Sequence, residues 1–167
     1  KYELVGTEEQ KSKQVKLIQY LRGMNSVIMY GNNGTGKTLL AYASMRDKIE
    51  KGYSPIYITF LDLMTIIKES YGTNGASPIR LIEEYKRCDY LVIDEIDKSY
   101  GTTNEFLILN QIVNARYSNR KPMVLISNSG TTDIIEVLGK STFERIVEDG
   151  PAVYMDWPSY RMRLRMR

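Results

Sequence analysis

A chain of 167 residues, 43% hydrophobic and 26% charged, has the size and polarity of one soluble domain with a buried core. It contains no histidine and a single cysteine, Cys88, which excludes Ser-His-Asp chemistry, histidine-bearing zinc sites and an internal disulfide. The net charge of +3 is uneven, because Arg161, Arg163, Arg165 and Arg167 crowd the C-terminus and the body is close to neutral.

No apolar run reaches the length of a membrane span and no secretory signal is present, so the expected setting is a reducing, cytoplasmic one without a membrane partner. The chain starts at Lys1 without a methionine, as expected of a piece of a longer protein.

In chain order, Glu8–Arg22 predicts a helix with Val15, Ile18 and Leu21 as its apolar stripe and Thr7 placed to cap it. An apolar strand over 26–30 leads into the Gly-rich run 31–38, and a helix follows from Lys37 to Lys51, ended by Gly52. Residues 55–60 are β-branched and aromatic and predict a strand. Residues 61–71 predict a helix with Leu63, Ile66 and Ile67 on one face. A loop by composition over 72–78 precedes a short helix over 79–86. Cys88 follows it as a half-buried structural thiol, with no histidine to activate it. Tyr90–Asp94 is a continuous apolar run ending in a carboxylate, the pattern of a buried parallel strand. A helix over 104–117, a strand over 122–128, short helices over 133–138 and 141–148, and a strand at Ala152–Met155 complete the chain. Strands alternating with helices predict an α/β fold, a parallel central sheet flanked by helices on both faces. The arginine-rich tail is either a grip on nucleic acid or an acidic partner, or a solubilising end that alternates with Met162, Leu164 and Met166.

The run Gly31-Asn32-Asn33-Gly34-Thr35-Gly36-Lys37-Thr38 fits G-x-x-x-x-G-K-[ST], the Walker A phosphate loop, in the strand–turn–helix context that gives the motif meaning. Its glycines let successive backbone N–H groups curl around a phosphate, and the helix that follows adds the positive end of its dipole. Asn33, Gly34, Thr35, Gly36, Lys37, Thr38 and Leu39 are the expected contacts to ATP or ADP. Lys37 reaches the β- and γ-phosphates, and Thr38 is an expected Mg²⁺ ligand.

Leu91-Val92-Ile93-Asp94-Glu95 is a Walker B pattern, in which Asp94 holds Mg²⁺ and Glu95 polarises the attacking water. Asn128 ends the next strand, where an amide can bridge the γ-phosphate and that water, the sensor-1 role of AAA+ proteins; an asparagine there is also an ordinary turn residue. Arg145 is either an arginine finger for a neighbouring subunit or a surface partner of Glu144 or Glu148 on its own helix.

The run Asp89-Tyr90-Leu91-Val92-Ile93-Asp94-Glu95-Ile96 is followed by Asn110-Gln111-Ile112-Val113-Asn114-Ala115-Arg116. Ser127-Asn128-Ser129, Leu138-Gly139, Glu144-Arg145-Ile146 and Asp156-Trp157-Pro158-Ser159-Tyr160-Arg161 come after it. Taken together and at consistent spacing, these resemble the DnaC/DnaI-type replicative helicase loaders over nearly the whole chain. The transposition helper IstB is a close relative of that family, and some phages carry loader versions of their own.

The resemblance implies an AAA+ P-loop NTPase over 1–167 without a C-terminal helical lid, with 1–24 as a helical lead-in, 156–167 as a basic tail, and the family's helicase-binding N-terminal domain absent. It implies head-to-tail self-assembly with Arg145 acting in trans, a hexameric replicative helicase as partner, and single-stranded DNA as ligand. Catalytic residues carried over are Lys37, Asp94, Glu95, Asn128 and Arg145. In this family single-stranded DNA lies near the end of the helix matching 61–71 and the segment after Walker B. There Tyr71 matches an aromatic position suited to stacking a base, Thr102, Thr103 and Asn104 fall among polar backbone contacts, and Lys98 is placed to meet a phosphate. The expected function is ATP-dependent loading of a replicative helicase onto single strands, by a weak ATPase that depends on assembly and DNA. The alternatives are an IstB-like transposition helper on duplex DNA, and a nucleotide-dependent module that binds the helicase without turnover. A small-substrate kinase would need an arginine-bearing lid mid-chain, and 72–78 has none.

Overall fold

Alternation along the strands decides which helix packs on which face. In the computed structural model, which describes residues 2–71, 77–98 and 101–160, the strands are β1 (Val27–Gly31), β2 (Pro55–Thr59), β3 (Tyr90–Asp94), β4 (Met123–Ile126) and β5 (Ala152–Met155). They form one parallel sheet in the order β2-β3-β4-β1-β5. Val27, Met29, Tyr90, Val92, Val124 and Ile126 belong to one core layer, packed with α1 (Glu8–Arg22) and α2 (Lys37–Glu50). Ile28, Leu91, Ile93 and Leu125 belong to the other, packed with α3 (Phe60–Glu69), α4 (Pro78–Arg87), α5 (Thr103–Ser118), α6 (Thr131–Leu138) and α7 (Lys140–Asp149). Every residue of β3 is buried, as its unbroken apolar run predicts. Among the described residues no helical lid follows β5. The arginines 161, 163, 165 and 167, and most of the expected loop at 72–78, lie outside the described residues.

Helix starts follow local chemistry. Thr7 with Gln10, and Thr102 with Glu105, form reciprocal capping boxes at α1 and α5. Thr59 Oγ1 accepts the Asp62 N–H at 3.1 Å, so α3 begins at Phe60, a residue that the sequence pattern assigns to the strand.

The buried stripe of α1 also departs from expectation: Gln14, Leu17 and Leu21 face inward, while Val15 is 41% exposed. Gln14 explains the rotation. Its Oε1 accepts the Val5 N–H at 3.2 Å and the Tyr2 hydroxyl at 3.3 Å, and its Nε2 donates to the Val5 carbonyl at 2.6 Å. A buried amide bonded on both ends anchors the N-terminal lead-in where an apolar side chain could not.

Two buried cations staple the end of the sheet opposite the Gly-rich loop. Lys48 Nζ donates to the last carbonyls of α1, Leu21 at 3.1 Å and Arg22 at 2.9 Å, and burial lowers its pKa. Arg116, fully buried, donates to the carbonyls of Tyr85, Cys88 and Pro122 at 2.7, 3.0 and 2.6 Å. The half-buried Cys88 thiol touches this guanidinium, and burial pushes its pKa up, which suits a structural thiol.

Candidate nucleotide site

Because β4 lies between β1 and β3, the carboxyl ends of these three strands stand side by side. That end of an open parallel sheet is where ligands bind. A cleft of about 690 Å³ opens there and gathers Asn33, Gly34, Gly36, Lys37, Thr38 and Leu39 from the loop, Asp94 and Glu95 from the end of β3, and Asn128 from the end of β4. Thr35 does not line it; its hydroxyl donates back to the Asn32 carbonyl at 2.9 Å and the residue is fully buried.

The loop depends on glycine at two positions. Gly36 has φ +95 and precedes α2 without a side-chain cap, and no acidic residue of the helix sits in its first turn, so the positive end of the helix dipole lines the cleft. Gly34 has φ +78, and a Cβ there would collide with Ser159.

Ser159 belongs to a C-terminal segment that backs the loop. The Asn32 N–H donates to the Met155 carbonyl at 3.1 Å, the Tyr160 N–H to the Gly34 carbonyl at 2.9 Å, and the buried Trp157 indole N–H to the Thr35 carbonyl at 2.9 Å. Tyr160 also forms part of the cleft wall, and its ring lies 5.1 Å from that of Tyr2.

Lys37 is 5% exposed, and its ammonium donates to the carbonyls of Gly31 and Asn32, both at 2.8 Å. A phosphate oxygen is a stronger acceptor for an ammonium than either carbonyl. The Thr38 hydroxyl donates to Asp94 Oδ2 at 2.8 Å, and the Tyr57 hydroxyl donates to the same oxygen at 2.8 Å. Asp94 Oδ1 accepts the Glu95 N–H at 2.7 Å. Burial, and next the Asp94 carboxylate, push the Tyr57 pKa far up, so the phenol is a neutral donor.

Glu95 adopts φ +57, uncommon for a residue with a side chain, and its carboxylate pairs with Lys98 at 2.7 Å. Asp97 Oδ1 accepts the Asn128 N–H at 2.9 Å and ties the β4 end to the segment after β3. Tyr57 and Asp97 belong to no motif of the sequence. The signals were weak: Tyr57 pairs with Val92, which puts Asp94 one diagonal step away on the same face, and Asp97 is simply a third acid after Asp94.

A hydroxyl and a carboxylate oxygen side by side are the sparse, hard donor set that Mg²⁺ uses beside substrate phosphates. Thr38 and Asp94 therefore fit that ion, and among the described residues no cluster of three acidic, histidine or cysteine side chains offers a rival cage.

Arg145 does not line the cleft. It projects from α7, donates to Asn114 Oδ1 at 2.6 Å and sits 6.0 Å from the Tyr117 ring, rather than pairing with Glu144 or Glu148. A second concavity of about 850 Å³ runs between α3 and α5 and brings together Tyr71, Thr102 and Asn104, with Lys68 beside them. Thr103, in the first turn of α5, lies outside its lining, and Lys98 belongs to the nucleotide cleft instead.

The family described as IstB-like ATP binding protein matches residues 2–167. The chain belongs to that family. It is 32% identical over 165 residues to the replicative helicase loader DnaC of Escherichia coli K12, a match that covers 96% of this chain and 67% of the loader.

Among solved structures it superposes on a DnaC helicase loader with a TM-score of 0.77 at 18% identity, covering 93% of this chain and 94% of that one. On the replication initiator DnaA bound to AMPPCP and single-stranded DNA the TM-score is 0.74 at 22% identity, covering 93% of this chain and 49% of the other, so the chain spans about half of that protein. These two likenesses carry the fold alone, a parallel sheet flanked by helices as expected from the sequence. No helix among the described residues is long and apolar enough to cross a membrane.

Proposed function

We propose that this chain is an ATP-dependent DNA replication factor that loads a hexameric replicative helicase onto single-stranded DNA, as a weak ATPase whose site is completed by a second copy. The observation that carries the reading is a division of parts. The loop, Asp94, Glu95 and Asn128 share one cleft, while Arg145 stands outside it on α7. Membership in an ATP-binding family and 32% identity to a helicase loader support the choice of task.

In this reading the α2 amides and Lys37 take the phosphates, and Lys37 exchanges the Gly31 and Asn32 carbonyls for phosphate oxygens. Thr38 and Asp94 would hold Mg²⁺, and the ion would supply neutralisation of phosphate charge when bound. Glu95 leaves Lys98 and accepts a proton from the water whose oxygen bonds to the γ-phosphorus. The bond from that phosphorus to the bridging oxygen breaks, and ADP and phosphate leave. Asn128 orients the water. Arg145 of the neighbouring copy gives up its Asn114 contact and meets the charge that develops on the γ-phosphate. Single-stranded DNA lies in the α3–α5 groove, with a base stacked on Tyr71 and the backbone along Thr102 and Asn104, and Thr103 takes no part from inside the groove.

A second reading is an IstB-like transposition helper with the same engine, which membership in the IstB-like ATP-binding family supports equally. Pull-down against a replicative helicase and a transposase separates the two. The test of the main reading is ATP turnover at rising protein concentration, with single-stranded DNA and helicase present. Arg145→Ala keeps nucleotide affinity and loses the concentration-dependent rate, by at least about 10³-fold where a finger acts. Equal turnover by the variant removes the trans mechanism, and absence of any turnover leaves a binding module.

A further inference from the structure

Thr38 and Tyr42 are four residues apart on α2 and so share one helical face. Tyr57 on β2 and Asp94 on β3 share one face of the sheet, because Tyr57 pairs with Val92 and Asp94 lies two residues further on. The helix lies over this face, and the four side chains are joined by three contacts. Thr38 and Tyr57 both donate to Asp94 Oδ2 at 2.8 Å, and Tyr42 stacks on Tyr57 with centroids 4.7 Å apart and planes inclined by 27°.

We infer that Tyr57 is a positioning residue for the divalent cation that accompanies the nucleotide, acting through the Asp94 carboxylate. The inference rests on the nucleotide reading of the cleft and adds a residue that no motif contains. A carboxylate with one anchored oxygen can still rotate about its Cβ–Cγ bond. Here Oδ1 is anchored by the Glu95 N–H and Oδ2 by two hydroxyls, so the plane is fixed. With its proton committed to Asp94, Thr38 keeps its oxygen lone pairs for a cation. Tyr57 supplies a donor to Oδ2 that does not come from the cation's own ligand, and the stack on Tyr42 fixes its ring. Its hydroxyl acts on the Asp94 carboxylate, so its removal is expected to act on cation affinity before it acts on the phosphate loop.

The test is titration of a fluorescent ATP analogue into wild type and Tyr57→Phe, once in EDTA and once at fixed nucleotide with rising Mg²⁺. Phenylalanine keeps the ring against Tyr42 and removes only the donor. A hydrogen bond to a charged acceptor leads us to expect about a tenfold rise in the Mg²⁺ concentration at half-saturation, with EDTA affinity unchanged within about twofold. An unchanged Mg²⁺ requirement overturns the inference while wild-type Mg²⁺-dependent binding stands. An equal loss in EDTA also overturns it, because that is general damage to the site. A wild type that binds no nucleotide in Mg²⁺ overturns the nucleotide reading and this inference together.

Discussion

The nucleotide cleft and the α3–α5 groove have similar volumes, about 690 and 850 Å³, and opposite construction. The cleft is made of backbone and short polar groups tied down from behind: Met155, Trp157 and Tyr160 bond Asn32, Thr35 and Gly34 of the loop. The groove has an apolar floor of Met64, Ile67 and Ile108 and a polar rim, with Tyr71 60% exposed beside it. A phosphate site works through N–H groups whose positions cannot drift, so it needs bracing. A surface for single strands works through an open aromatic face, which bracing would cover.

The sharpest way to break this contrast is to remove the brace. Trp157→Ala deletes a buried indole and its bond to Thr35, and should cost about 3–5 kcal/mol of folding free energy by denaturant titration. Nucleotide affinity should fall with it. A loss below about 1 kcal/mol would mean that the segment merely lies against the loop, since that is the scale of a surface substitution.

The groove should respond in the other direction. Tyr71→Ala should weaken single-strand binding by about 1–3 kcal/mol, read by fluorescence anisotropy, and leave both stability and ATP affinity in place. Loss of ATP affinity in that variant would join the two surfaces that the contrast separates.

The smallest effect belongs to a residue remote from both. The Lys51 ammonium, with Lys48 beside it, holds the Asp47 carboxyl below its ordinary value of 3.8. A depressed folded-state pKa adds stability that is present above the unfolded value and is lost as pH falls through the folded one. Asp47→Asn should therefore cost up to about 0.5 kcal/mol at pH 7 and nothing at a pH below both values, by thermal melts across pH. A cost that persists in acid would come from packing rather than charge.

How much of this was legible in the sequence depends on the range of the forces involved. Tyr90–Asp94 and Ala152–Met155 have the observed bounds because apolar runs and their flanking breakers are local signals. The fold class follows from the strand–helix alternation. The α1 stripe is displaced because Gln14 satisfies Val5 and Tyr2, a tertiary contact that no periodicity contains. The neighbours of Asp94 divide in the same way. Thr38 is readable from a motif, whereas Tyr57 reaches Asp94 only through the register of β2 on β3. Trp157 belongs to a recognisable C-terminal signature, but its bond to Thr35 spans 122 residues of chain.

The central claim, that one copy supplies the phosphate grip and the next supplies Arg145, is tested most directly by mixing two inactive variants. Lys37→Ala lacks the grip and keeps its arginine; Arg145→Ala lacks the arginine and keeps the grip. With single-stranded DNA and helicase present, the account predicts negligible ATP turnover from each alone and recovered turnover in the mixture. A mixture no faster than the sum of its parts would contradict it.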